Sequence, residues 1–211
     1  MIELFPQFSD RIHCRFLGRS DDRTLSENAV TLDQVHGNTT VLAGMPKQYF
    51  AKADGVMTNI SGLDLTIQAA DCQNFALYAP DVHACAVLHA GWRGLLCGAI
   101  PKCIDTFCKH WNVTPGDIHV TAGPSLCTVC AEFSDPIAEL VGIDPRFFSG
   151  RNVDLQGIAE MQLFATGISP NKFYRHPDCT RCTSTKYLSY RGGDREVVIA
   201  GISNMLVITL L

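Results

Sequence analysis

Three apolar runs, Leu63 to Ala69, Phe75 to Tyr78 and Ala84 to Leu88, follow one another with only short polar interruptions, and this succession constrains the fold most. Each is bounded by Gly, Pro, Asp or Asn, as are Ile118 to Ala122 and Val197 to Ile202, and all five read as strands. Helical spacing appears at Leu96, Ile100, Cys103, Ile104, Phe107 and Cys108, which share one face at steps of three and four. Pro101 then belongs in a first turn or at a kink. A second helix is expected from about Asp154 to Ala165, with Leu155, Ile158, Ala159 and Leu163 inward. Strands and helices that mix without a regular βαβ rhythm predict a layered α/β protein rather than a barrel or a Rossmann sheet.

No linker, internal repeat or low-complexity tract divides the 211 residues, so residues 1–211 are expected to form a single domain. With 46% hydrophobic and 18% charged residues the chain is globular in composition, which excludes a disordered or fibrous protein. Seventeen basic against 21 acidic residues, a net charge of −4, argues against nucleic acid as a partner, because no basic excess is available to neutralise phosphates. No apolar run approaches the roughly 18 residues of a membrane span. The longest, Val197 to Leu211, is broken by Gly201, Ser203 and Asn204 and reads as core strand. The start, MIELFPQFSDR, lacks a basic region followed by an apolar one, so a cytoplasmic location without membrane association is expected. In that compartment the ten cysteines are expected to be mostly reduced, several packing the core and a few serving as ligands.

Three local patterns carry chemistry: Gln34-Val35-His36-Gly37, Ala70-Asp71-Cys72 and His89-Ala90-Gly91-Trp92-Arg93-Gly94. Each sets a metal-capable side chain beside a strand end or a glycine turn. His89 follows an expected strand and precedes Gly91, where backbone and ligand can approach closely. Two imidazoles and one thiolate form a three-ligand set suited to Zn²⁺, with the fourth tetrahedral position open.

These stretches, with ADGVMT at Ala53 to Thr58, GLDLTIQAADC at Gly62 to Cys72, HAGWRG at His89 to Gly94 and GPS at Gly123 to Ser125, resemble the laccase-domain family. These are the YfiH-like proteins, also called polyphenol oxidoreductases and regarded as purine nucleoside phosphorylases. The likeness continues through Asp154-Leu155, Gln162-Leu163, Cys179-Thr180 and Ser189-Tyr190-Arg191, covering about residues 30 to 202. The resemblance implies zinc held by His36, Cys72 and His89, and a layered α/β/β/α sandwich with mixed sheets. Three departures stand out: Gln73-Asn74 follow Cys72 where a Pro is usual, Cys127-Thr128-Val129-Cys130 replaces adjacent cysteines, and Gly192 replaces a second Arg. These positions are expected to touch the pocket wall more than the ligands.

Cys127-x-x-Cys130 and Cys179-x-x-Cys182 also form the two halves of a four-cysteine zinc knuckle. Against that reading, the intervening 48 residues exceed a compact ribbon, and only Cys130 and Cys179 match cysteines of the resembled family. The helix cysteines 97, 103 and 108 read as packing residues.

The resemblance implies phosphorolysis of purine nucleosides, with deamination of adenosine as a second activity, and purine nucleoside and phosphate as small-molecule partners. Catalytic roles then fall to Cys72, His89 and Arg93. Arg93, one short turn from His89, is placed to hold phosphate or a developing anion, with a structural salt bridge as the alternative. Asp71 is assigned to substrate binding; it either orients a ligand histidine or is buried elsewhere, since adjacent strand residues face opposite ways. A four-copper oxidase is excluded, because none of the seven histidines forms a His-x-His pair. Copper at the His/His/Cys set with weak phenol oxidation stays open. So do a cysteine hydrolase or amidase using Cys72 and His89, and a zinc-stabilised interaction module without turnover. No oligomeric state is assigned.

Overall fold

A computed structural model describes residues 1–211. The first strands are β1 (Ile2–Leu4), β2 (Ile12–Leu17), β3 (Ala29–Leu32), β4 (Thr40–Leu42), β5 (Tyr49–Phe50) and β6 (Gly55–Thr58). Then come β7 (Asp64–Ala69), β8 (Gln73–Ala79) and β9 (Ala84–Ala90), the three runs that dominate the sequence, followed by helices α1 (Trp92–Leu96) and α2 (Ala99–Trp111). The remaining elements are β10 (His119–Ala122), α3 (Pro136–Glu139), β11 (Phe148–Ser149), β12 (Asn152–Val153), α4 (Leu155–Ala165), β13 (Phe173–Arg175), α5 (Arg195–Ile199) and β14 (Asn204–Leu210).

Two mixed six-stranded sheets result, in the orders β1-β2-β14-β7-β3-β5 and β13-β10-β8-β9-β6-β4. Within the second, β8, β9, β6 and β10 pair antiparallel, whereas the edge strands β13 and β4 run parallel to β10 and β6. The sheets belong to the layered α/β class that the sequence predicts. Every residue of β8 and β9 is buried. Ala76, Tyr78, Cys85 and Val87 face a core shared with Ile12, Phe16, Leu206 and Ile208 of the first sheet. Phe75, Leu77, Ala86 and Leu88 face the helices, against Leu95, Ile100, Ile104 and Phe107. Each such large side chain contributes about 1.5–3 kcal/mol through apolar burial, so this hairpin is firmly held. The outward face of the first sheet, with Arg15, Leu17, Thr66, Met205 and Val207, borders an open cleft of about 460 Å³.

Helix α2 buries Ile100, Cys103, Ile104 and Phe107 as expected, with Pro101 in its first turn, where the missing N–H costs no helical bond. Helix α4 starts one residue after the expected Asp154, whose side chain caps it by accepting from the Gly157 N–H at 2.9 Å. One strand expectation is overturned: Val197 to Ile199 end helix α5, and Gly201 turns the chain at φ +89°. The strand starts at Asn204 instead. Val197 and Ile199 are 40% and 68% exposed, so the β-branched run has no sheet to join, and local hydrogen bonding decides its conformation. No helix is long and apolar enough to cross a membrane.

Candidate metal centre and cleft

His36 lies in the loop after β3, Cys72 in the turn between β7 and β8, and His89 on β9. In the β8–β9 ladder Asn74 faces His89 and Gln73 faces Ala90, which brings the preceding Cys72 to the end of β9. The donor atoms of the three residues all lie within 4.8 Å of one another. Cys72 Sγ is 4.0 Å from His36 Nε2, and the two imidazoles meet edge to face with centroids 4.8 Å apart. The chain therefore brings together the three residues singled out as ligands.

What holds them is Asp54, immediately before β6 and fully buried. Its carboxylate accepts the backbone N–H groups of Val35, His36 and Gly37 at 3.2, 2.9 and 2.7 Å, and the Nδ1–H of His89 at 2.8 Å. Successive N–H groups converging on one anion form a nest, a geometry that needs a residue in the left-handed region; His36 takes that part at φ 59°. The bond to His89 Nδ1 fixes the ring and leaves Nε2 as the free donor atom. Burial alone would push the Asp54 carboxyl up, but the hydrogen bonds from His89 and the loop outweigh it and hold the carboxyl below its usual value.

Asp71 takes the second of its two expected places, buried rather than beside a ligand histidine. Its oxygens accept Thr180 Oγ1–H and the Arg191 N–H, both at 2.7 Å, so it pins the chain segment before α5 and orients no ligand histidine. Asp71 lines the cleft beside Cys72, and it is Asp54 that orients His89. Burial would likewise raise the Cys72 thiol, yet the His89 charge and hydrogen bonds from His36 and His89 bring it down to about 6. Conversely, burial disfavours charge on His89, while the Cys72 thiolate and Asp54 raise it to about 9. Thiolate is the form that a metal ion would take up, and a bound cation would take the place of the proton on His89 Nε2. Two imidazoles and a thiolate, one imidazole already oriented by a buried carboxylate, fit Zn²⁺ in donor type.

All three residues line a cleft of about 700 Å³, whose lining also includes Asp71, Gln73, Trp92, Arg93 and Arg191. Arg93 is exposed, its guanidinium 4.0 Å from the centre of the Trp92 ring, and it joins none of the chain's ion pairs. Gln73, one of the departures expected at the pocket wall, does line it. Its Oε1 accepts from Arg175 at 2.8 Å, while its buried Nε2 has no partner. Arg191 was not singled out beforehand as a site residue; the Ser189-Tyr190-Arg191 stretch was its only signal.

The model of the family described as multi-copper polyphenol oxidoreductase laccase matches residues 17–206. The chain belongs to this family. Among curated relatives, the purine nucleoside phosphorylase YlmD of Geobacillus stearothermophilus is 27% identical over 187 residues, 78% of this chain and 67% of that protein. The adenosine deaminase RL5 of an unknown prokaryotic organism is 28% identical over 151 residues, 65% of this chain and 56% of that protein. The matches thus span about two thirds or less of those relatives. The crystal structure of YlmD superposes with a TM-score of 0.80 at 22% identity, covering 97% of this chain and 93% of that one. That of the Bacillus licheniformis hypothetical protein YfiH gives 0.76 at 20% identity, covering 90% and 76%. In this laccase-family chain only two of seven histidines stand in a metal-capable cluster, too few for a multicopper centre.

Gly91 makes the site possible. A Cβ there would lie 2.8 Å from His36 Cδ2 and 2.9 Å from Cys72 Sγ. Gly91→Ala is therefore expected to weaken binding of any metal ion at this cluster by about 10–100-fold, in the range seen when groups around ligands are disturbed. Titration with a competing chelator measures it, and an unchanged circular dichroism spectrum shows the fold intact. Parent-like affinity would mean that the ligands have more room than the distances indicate.

Proposed function

We propose that this chain is a zinc-dependent purine nucleoside phosphorylase that also deaminates adenosine, with purine nucleoside and phosphate bound in the His36–Cys72–His89 cleft. The observation that carries the reading is the convergence of three donors at a 700 Å³ cleft whose lining also includes Arg93 and Arg191. A volume of this order suits a small ligand. The names of the relatives, phosphorylase for some and deaminase for another, support the same two reactions.

Zinc held by His36, Cys72 and His89 would supply a Lewis acid toward a substrate oxygen or water. Asp54 keeps His89 in the tautomer that presents Nε2 and keeps the His36 loop closed around the site. Arg93, unpaired and exposed in the cleft, offers a planar fork to phosphate, and Arg191 adds a second positive charge.

The test is to incubate metal-analysed protein with adenosine, inosine and guanosine, with and without phosphate, and to identify products. Phosphate-dependent release of base supports phosphorolysis; inosine formed from adenosine without phosphate supports deamination. Activity that survives chelation and dies with thiol alkylation would transfer the site to cysteine hydrolysis, and phenol oxidation confined to the copper-loaded form would transfer it to copper chemistry.

Arg93→Lys keeps the charge and loses the fork. Losing one charge-assisted hydrogen bond, worth roughly 1.5–3 kcal/mol, lowers phosphorolysis about 10–100-fold. Deamination needs no phosphate and falls less, with zinc content and melting temperature near the parent's. Equal loss of both reactions with a large drop in melting temperature would return Arg93 to the scaffold.

A further inference from the structure

We propose that Cys127, Cys130, Cys179 and Cys182 bind a second zinc ion, a structural four-cysteine site separate from the cleft. Their sulfurs all lie within 4.8 Å of one another, and none of the four lines the cleft. Cys182 Sγ is 3.4 Å from Cys130 Sγ and 3.9 Å from Cys127 Sγ. Tetrahedral zinc with bonds of 2.3 Å sets sulfurs about 3.8 Å apart, so only small rotamer adjustments separate these side chains from a closed shell. A disulfide would need about 2.05 Å, and all ten cysteines are free thiols.

Sequence separation argued against this site, and the sheet removes the objection. Strands β10 and β13 are parallel neighbours, Val120 beside Phe173 and Ala122 beside Arg175, so both chains leave the sheet at the same end. Cys127 and Cys179 follow within a few residues, and the two loops stay joined through a bridge between Ser125 and Cys179. Each CxxC is then folded back on itself. The Cys130 N–H donates to the Cys127 carbonyl at 3.0 Å, and the Thr183 N–H donates to the Cys179 carbonyl at 2.9 Å. The Cys127 N–H points at Cys179 Sγ from 3.3 Å, a contact that stabilises thiolate charge. Cys130 and Cys179 are buried while Cys182 is exposed, so an ion has a short route in from solvent.

Four thiolates with no oxygen or nitrogen donor select a soft, tetrahedral ion, and a complete shell leaves no position for substrate, so the site is structural. Zinc binding displaces the thiol protons to solvent and joins the loop after β10 to the segment that runs from Cys179 through Thr180 to Arg191. That segment is already tied to Asp71 beside the cleft. The second ion thus holds the wall that carries Arg191.

Metal analysis of the full chain, purified without chelator under reducing conditions, tests this. Two zinc ions per chain are expected, falling to one in Cys127→Ser/Cys182→Ser and to one in Cys72→Ala. Neither Cys127 nor Cys182 is fully buried, so the double variant is expected to fold, with a lower melting temperature. X-ray absorption of zinc-loaded Cys72→Ala then reports four sulfurs near 2.3 Å. One zinc per chain that the double variant retains, iron in place of the second zinc, or a Cys130–Cys182 disulfide in the freshly purified protein would overturn the proposal.

Discussion

Under the proposed function, Cys72→Ala is expected to abolish both phosphorolysis and deamination. The substitution removes the thiolate from a three-donor set and leaves two imidazoles, one of them on an exposed loop. Lewis-acid stabilisation of transition-state charge is worth several kcal/mol, so rates should fall about a thousandfold or more. Cys72 is a small, half-buried side chain, and its loss leaves the Asp54 hydrogen bonds intact, so the melting temperature should stay close to that of the metal-depleted parent. The count is cleanest in the Cys127→Ser/Cys182→Ser background, where zinc should fall to none. Full zinc with retained activity would show that the ion and the chemistry lie elsewhere.

The second large effect concerns Asp54, which no substrate need touch. In Asp54→Asn a single oxygen replaces two, and the new NH₂ confronts backbone N–H groups that had an acceptor. At least two of the four donors, from Val35, His36, Gly37 and His89, lose their partner. At about 1–3 kcal/mol for each unsatisfied buried group, the fold loses a large share of an ordinary domain's stability. His89 is also freed to rotate and to change tautomer, so zinc affinity should drop at least about 10–100-fold. Denaturant unfolding and metal titration measure the two losses separately. The matched control is Asp71→Asn, which disturbs Thr180 and Arg191 and should leave zinc affinity near the parent's. If Asp71→Asn loses zinc and Asp54→Asn does not, the roles of the two carboxylates are reversed.

These two carboxylates also show why some of the site could be read from the chain and some could not. His36, Cys72 and His89 announce themselves because each is a metal-capable side chain beside a glycine turn or strand end. Asp71 drew attention by adjacency to Cys72, yet neighbours in an extended chain point apart, and its oxygens hold Thr180 and Arg191. Asp54 acts through a loop distant in sequence, and only the closed nest around His36 reveals why a charge is buried there. The central strands were readable because β7 alternates apolar and polar residues while β8 and β9 carry continuous apolar runs. The short strands β1, β4, β5 and β13 carry too few residues for a periodic pattern, and their pairing partners define them. Val197 to Ile199 misled for the opposite reason, a β-branched run whose strand partners lie elsewhere.

His89 and the residue next to Cys72 belong to strands buried on both faces. The gap between the two donors is therefore inherited from how Phe75, Leu77, Leu88 and their neighbours pack between sheet and helices, since close-packed interiors transmit small displacements rather than absorb them. A methyl group added or removed in that layer changes ligand spacing by tenths of an ångström, far from any substrate. The permissible volumes in this part of the core are thus narrower than stability alone would require: a substitution there can leave the protein folded and still shift the three donors apart.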